Sequence, residues 1–201
     1  MKSLITKFVG ALINLIGFFS SEYASKLALQ LFSKPRGGML TPKGRLFLDT
    51  ASKTTLYYNN LEIQTYHWNG SKETVLLAHG WESNSNRWRY EIEKLQTEGY
   101  DIIALDGPAH GASGSDTFNA ILYSEFINVV SQQFQPTVFL GHSVGAMAVI
   151  FFLQKQTYSN VNKIVLLGAP SAFTGIMERY KKMMGYSKTI DKGIDYHIQL
   201  K

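Results

Sequence analysis

Apolar residues recur at helical spacing from the start of the chain: Leu4, Phe8, Leu12, Leu15, Phe19, Tyr23, Leu27 and Leu31. This period predicts one or two amphipathic helices, lying on the domain or on a membrane surface. Pro35-Arg36-Gly37-Gly38 ends them. Thr41-Pro42 then opens a short helix, with Thr as N-cap and Pro at the first helical position. From Thr54 the pattern becomes that of strands. Thr54 to Tyr58 and Leu61 to Trp68 are rich in β-branched and aromatic residues, and Asn59-Asn60 between them suits a hairpin turn with positive φ.

Four short apolar runs follow: Val75 to Ala78, Asp101 to Leu105, Thr137 to Leu140 and Val161 to Leu167. Segments predicted to be helical separate them, at about 86–98, 119–134 and 145–156. A continuous apolar run reads as a strand buried on both faces. Alternation with helices predicts an α/β fold with a mostly parallel central sheet flanked by helices, and an antiparallel hairpin at its N-terminal edge. After Pro170 the alternation stops. The remainder reads as helical, with Phe173, Ile176, Met177, Tyr180 and Met184 on one stripe. The expected organisation is a helical extension over 1–40, an α/β core over 41–170 and a helical segment, a candidate lid, over 171–201.

With 201 residues, 45% of them hydrophobic, the chain can bury a core and is not disordered. It has no cysteine, which excludes disulfides, thiolate metal sites and a Cys nucleophile, and fits a reducing compartment. The net charge of +5 reads as spread along the sequence, with small concentrations at Lys2/Lys7 and Lys181/Lys182 and without a basic stripe interleaved with aromatics, so no nucleic-acid partner is expected. The run from Phe8 to Phe19 is shorter than the roughly 20 residues that span a bilayer. Asn14 interrupts it, Ser-Glu-Tyr-Ala makes a poor cleavage site, and the helical pattern continues beyond both. The expectation is a cytoplasmic protein with peripheral membrane contact through its N-terminal helix.

The strongest chemical signal is Gly141-His142-Ser143-Val144-Gly145, a G-x-S-x-G between a predicted strand and a predicted helix. A nucleophilic serine needs a sharp, strained turn that lifts its hydroxyl above the sheet. Only small residues fit two positions either side, hence Gly141 and Gly145. The Val144 amide then opens the helix and can donate to a substrate oxygen. His79-Gly80-Trp81 follows the first buried run, and Asp106-Gly107-Pro108-Ala109-His110-Gly111-Ala112-Ser113-Gly114 the second. The latter is Gly-rich but lacks the Lys and spacing of a phosphate-binding loop.

These three motifs, in this order, resemble the α/β-hydrolase family, especially its esterase- and lipase-like members. The resemblance covers roughly 54–170. It implies a small-molecule acyl substrate, no cofactor and no metal. It also implies an acyl-enzyme on Ser143, with the Trp81 and Val144 amides as oxyanion donors and Trp81 and His110 at the substrate. Ala109 stands where family members usually have Gly. The family's triad acid and histidine follow later strands than this chain supplies. His197, 54 residues after Ser143, lies outside any strand loop. Both are therefore expected beyond residue 201, with the fold incomplete at its C-terminus. A non-catalytic binding protein of the same fold, and an acyltransferase using the same serine, are the competing readings. A Ser at the elbow speaks against relatives that attack with Asp there. Among the other candidates, His79 and Asp106 read as loop braces, Trp88 as core and His67 as surface.

Overall fold

The computed structural model describes residues 2–156 and 158–199. Eight α-helices and six strands are seen in it: α1 (Lys2–Phe19), α2 (Ser21–Ser33), α3 (Pro42–Leu48), β1 (Ser52–Tyr58), β2 (Leu61–Trp68), β3 (Thr74–Ala78), α4 (Arg89–Thr97), β4 (Asp101–Leu105), α5 (Ala120–Phe134), β5 (Val138–His142), α6 (Val144–Lys155), β6 (Lys163–Leu167), α7 (Phe173–Met184) and α8 (Lys188–Gln199).

The chain divides into two compact units, residues 35–169 and residues 1–34 with 170–201. The first is the α/β unit. Its sheet has the order β1-β2-β4-β3-β5-β6. The β1–β2 and β2–β4 pairs are antiparallel and the other three pairs parallel. Asn59 and Asn60 both have positive φ, 45° and 65°, which the twist of a two-residue hairpin requires. Thr41 caps α3 by accepting from the Gly44 N–H at 3.1 Å. Asn119 caps α5 by accepting from the Leu122 N–H at 2.7 Å. A 3₁₀ turn over Ser85–Trp88 precedes α4, so the α-helix begins three residues later than the expected start near residue 86. Trp88 is buried in the core with Leu48, Trp68, Leu77 and Ile92.

The extreme segments, read from sequence as separate extensions, come together as one helical unit. Ile13 of α1 and Ala24 and Ala28 of α2 are buried with Met177, Tyr180, Met184, Ile190 and Ile194 of α7 and α8. The Phe173–Met184 stripe is thus core within this unit. Asn14, which interrupts the N-terminal apolar run, is a tie. Its side chain donates to the Gly185 carbonyl at 2.9 Å and accepts from the Ser187 N–H at 2.8 Å, holding the α7–α8 turn.

Candidate active site

The strand order reverses between β3 and β5: the chain moves from β3 to β4 on one side, then to β5 on the other. Such a switch point is where open α/β sheets bind ligands, at the carboxyl ends of the strands. Ser143 follows β5 and the Gly80-Trp81 turn follows β3, so both flank this point.

Ser143 has φ +54° and ψ −121°, a region that a non-glycine residue occupies only under strain. The surroundings explain how it is held. A methyl group added at Gly141 would lie 2.5 Å from the Ala146 Cα, and one at Gly145 would lie 2.3 Å from the His79 carbonyl oxygen. The two glycines thus let α6 approach β5 on one side and the end of β3 on the other. The Ser143 N–H donates to the Leu167 carbonyl at 2.9 Å, tying the turn to β6. Val144 is the first residue of α6, so its N–H has no partner within the helix. A methyl group at Gly80 would lie 3.1 Å from the Ser143 Cβ. The 79–81 turn therefore packs against the serine itself.

Three buried side chains fasten this turn to the loop after β4. His79 Nε2 accepts from the Gly107 N–H at 2.8 Å, which leaves the proton on Nδ1, facing the Gly80 carbonyl at 2.7 Å. Burial disfavours its cation and pulls its pKa down to about 3. His110 repeats the arrangement. Nε2 accepts from the Glu82 N–H at 2.9 Å, Nδ1 faces the Pro108 carbonyl at 2.8 Å, and burial again lowers its pKa. Asp106 accepts from the Ser85 N–H and hydroxyl (2.8 and 2.7 Å), the Ala112 N–H (2.9 Å) and the Tyr66 hydroxyl (3.0 Å). Burial raises its pKa, and the four donors oppose that rise.

His79 and Asp106 are thus where a bracing role puts them. His110 is fully buried with both ring nitrogens engaged, so it braces the loop and offers no ring nitrogen to a substrate. Trp81 is partly buried, its ring 5.8 Å from His110 and 5.0 Å from Phe118. Phe118 was missed by sequence reasoning: it lies between the loop motif and α5, where no pattern marks it. His67 differs from its surface reading. β2 lies inside the sheet, and His67 Nε2 sits 2.7 Å from Asp101 Oδ1. Ala109 has φ +59°, the left-handed region, which is the physical reason a glycine is usual at that position.

Among the described residues, no histidine is hydrogen-bonded to the Ser143 hydroxyl. His79 and His110 are committed to the loops. His142 Nδ1 is buried without a hydrogen-bond partner, against Gly80. His197 is in α8 of the helical unit, beside Tyr196.

This fold and elbow define an α/β hydrolase, and the sequence matches the family described as alpha/beta hydrolase fold over residues 73–192. The chain belongs to that family. It is similar to a non-heme haloperoxidase of Rhodococcus erythropolis, 27% identical over 128 residues, which are 61% of this chain and 43% of that protein. It is also similar to the AB hydrolase superfamily protein YisY of Bacillus subtilis, 22% identical over 64% of this chain and 47% of that protein. The chain thus spans less than half the length of these relatives. Among solved structures, an esterase from Exiguobacterium antarcticum shares the fold, with a TM-score of 0.55 and 20% identity over 74% of this chain and 73% of that one. None of the described helices is long and apolar enough to cross a membrane.

Proposed function

We propose that this chain carries the nucleophile and oxyanion site of a serine hydrolase acting on an ester or related acyl bond of a small molecule. The observation that supports this most is the strained Ser143, held by two glycines that have no room for a side chain. Strain of about 1–3 kcal/mol at one residue persists only where the surroundings enforce it, and it concentrates at sites with a task.

Ser143 Oγ attacks the acyl carbon, the alcohol or amine leaves, and water then releases the acid from the acyl-enzyme. The Val144 and Trp81 backbone amides donate to the oxyanion, each worth roughly a hundredfold or more in rate. Trp81 and Phe118 offer an apolar wall to the acyl group. The base that must take the serine proton is assigned to the stretch by which the relatives exceed this span. The Ser at the elbow, rather than Asp, favours acyl over alkyl transfer. A fluorophosphonate probe is expected to label the full-length protein at Ser143, and Ser143→Ala to abolish the labelling. Equal labelling of the Ala variant would overturn the assignment.

A further inference from the structure

Helix α1 packs Ile13 and two close-fitting glycines inward, and turns a second set of large apolar residues outward. On the inner side, a methyl group at Gly10 would lie 1.8 Å from the Met184 carbonyl oxygen, and one at Gly17 would lie 2.8 Å from Ile190 Cδ1. On the outer side, Leu4, Phe8, Leu12, Leu15, Phe18 and Phe19 are all exposed, the last two by 85 and 83%. At about 100° per residue these six share one arc of the helix, and no polar residue interrupts it. Lys7 and Asn14 border the arc on one flank. A helix that only capped its own unit would present the opposite arrangement, since a single exposed Leu needs no explanation but a continuous apolar face does.

Charge indicates what covers this face. The concentrations at Lys2/Lys7 and Lys181/Lys182 fall in one and the same unit of the fold. Residues 1–34 with 170–201 hold ten Lys and Arg against four Asp and Glu, a net of +6. Residues 35–169 hold ten against eleven, a net of −1. The unit that bears the apolar face therefore carries the whole surplus. A second copy docked on the same face would bring two +6 units together, which repulsion opposes. At 18 residues, α1 is also not among helices that can cross a bilayer.

We propose that α1 lies in the surface of an anionic membrane, with its Leu4–Phe19 face among the acyl chains and the basic unit against the headgroups. An apolar face on a unit of net positive charge, with Lys7 at its border, has the two contributions on which interfacial helices draw: buried apolar area and attraction to anionic lipid. This rests on α1 and its unit alone, independently of any activity at Ser143.

The test is sedimentation of the full-length protein with vesicles of phosphatidylcholine containing about one third phosphatidylglycerol, beside vesicles of phosphatidylcholine alone. Binding is expected to the anionic vesicles, with a partition coefficient at least about tenfold below on neutral ones. Phe8→Ser with Phe19→Ser should lower it by about tenfold or more. Both residues are exposed, so the unit's far-UV circular dichroism should not change. If that variant unfolds, Lys7→Glu with Lys188→Glu provides the second reading, a severalfold loss that moderate salt reproduces in the parent. Failure to sediment with anionic vesicles, or binding equal in parent and folded variants, would overturn the proposal. So would a lipid-free dimer broken by the Phe8 and Phe19 substitutions, which would give the face to a second copy.

Discussion

At the scale of single residues, the backbone of the elbow and of the neighbouring loops is set by where a Cβ can and cannot stand. Gly145→Ala forces a methyl group against two carbonyl oxygens, at 2.3 and 2.4 Å, which backbone must move to relieve. The expected outcome is a loss of about 3 kcal/mol or more in urea unfolding, with probe labelling at Ser143 lost in parallel. Ala109 makes the opposite case. Its φ of +59° costs an L-residue about 1–2 kcal/mol, so Ala109→Gly should raise stability by roughly 1 kcal/mol, less the entropy that glycine adds to the unfolded chain. An unchanged or lower urea midpoint would show that the loop relaxes around Ala109. The elbow glycines were legible in sequence because the motif and its flanking strand and helix fall in one short stretch. Gly80 against Ser143 was not, because that contact joins residues some sixty positions apart.

Between elements, the loop after β3 and the loop after β4 are locked by side chains that accept mainly from backbone. Asp106 alone satisfies two amides and two hydroxyls. Asp106→Ala would leave the Ser85 amide and hydroxyl without their acceptor in a buried place and free the part-buried Ala112 amide, at about 3–5 kcal/mol. Asp106→Asn, of equal size, keeps one acceptor and should lose about half of that. Both should slow labelling at Ser143 without Asp106 touching the serine, and a double-mutant cycle with Ser85→Ala should show coupling. Sequence reading found Asp106 and His79 as braces because they sit in a recognisable loop order, but placed His110 at the substrate, since the motif does not show that both its ring nitrogens are spent on the Glu82 amide and the Pro108 carbonyl. It could not find their partners, since backbone amides carry no residue signature. Strand identity was likewise legible in the apolar runs, but not the 3₁₀ entry to α4, which Asn84 sets by accepting from the Asn86 N–H.

For the molecule as a whole, two features are expected to govern behaviour. The first is acid. His79 has an ordinary value of 6.5 and a folded value of about 3. Between these the unfolded state binds the proton and the folded state does not, so stability falls as pH drops through this window. The deficit approaches roughly 4 kcal/mol near its lower end. His110 and His142 add in the same direction, while burial raises the pKa of Asp106 above its ordinary 3.8, which works the other way. In Asp106→Asn, which removes that opposing carboxyl, thermal midpoints measured from pH 7.5 to about pH 4 should decline steadily, and a flat profile there would contradict the buried neutral imidazoles. The second is the edge of the sheet. β6 is apolar on both faces, and Ile164, Leu166 and Leu167 remain 44, 39 and 38% exposed. An apolar edge of this kind templates association. The 201-residue chain is expected to aggregate with concentration in light scattering, and Leu166→Lys to suppress this while leaving the far-UV spectrum unchanged.

The tie from Asn14 to Gly185 and Ser187 also has a consequence in time. The helices that meet in this unit lie some 170 residues apart along the chain, so they are synthesised at different times. At about 5–20 residues per second, α1 and α2 wait roughly 10–30 seconds for the partners that bury Ile13, Ala24 and Ala28. Through that interval they are apolar on both sides, and a surface that shelters the outer side shortens the list of wrong partners. Protease protection of residues 1–34 on arrested nascent chains should accordingly appear late, only once α8 has left the ribosome, unless vesicles are present from the start.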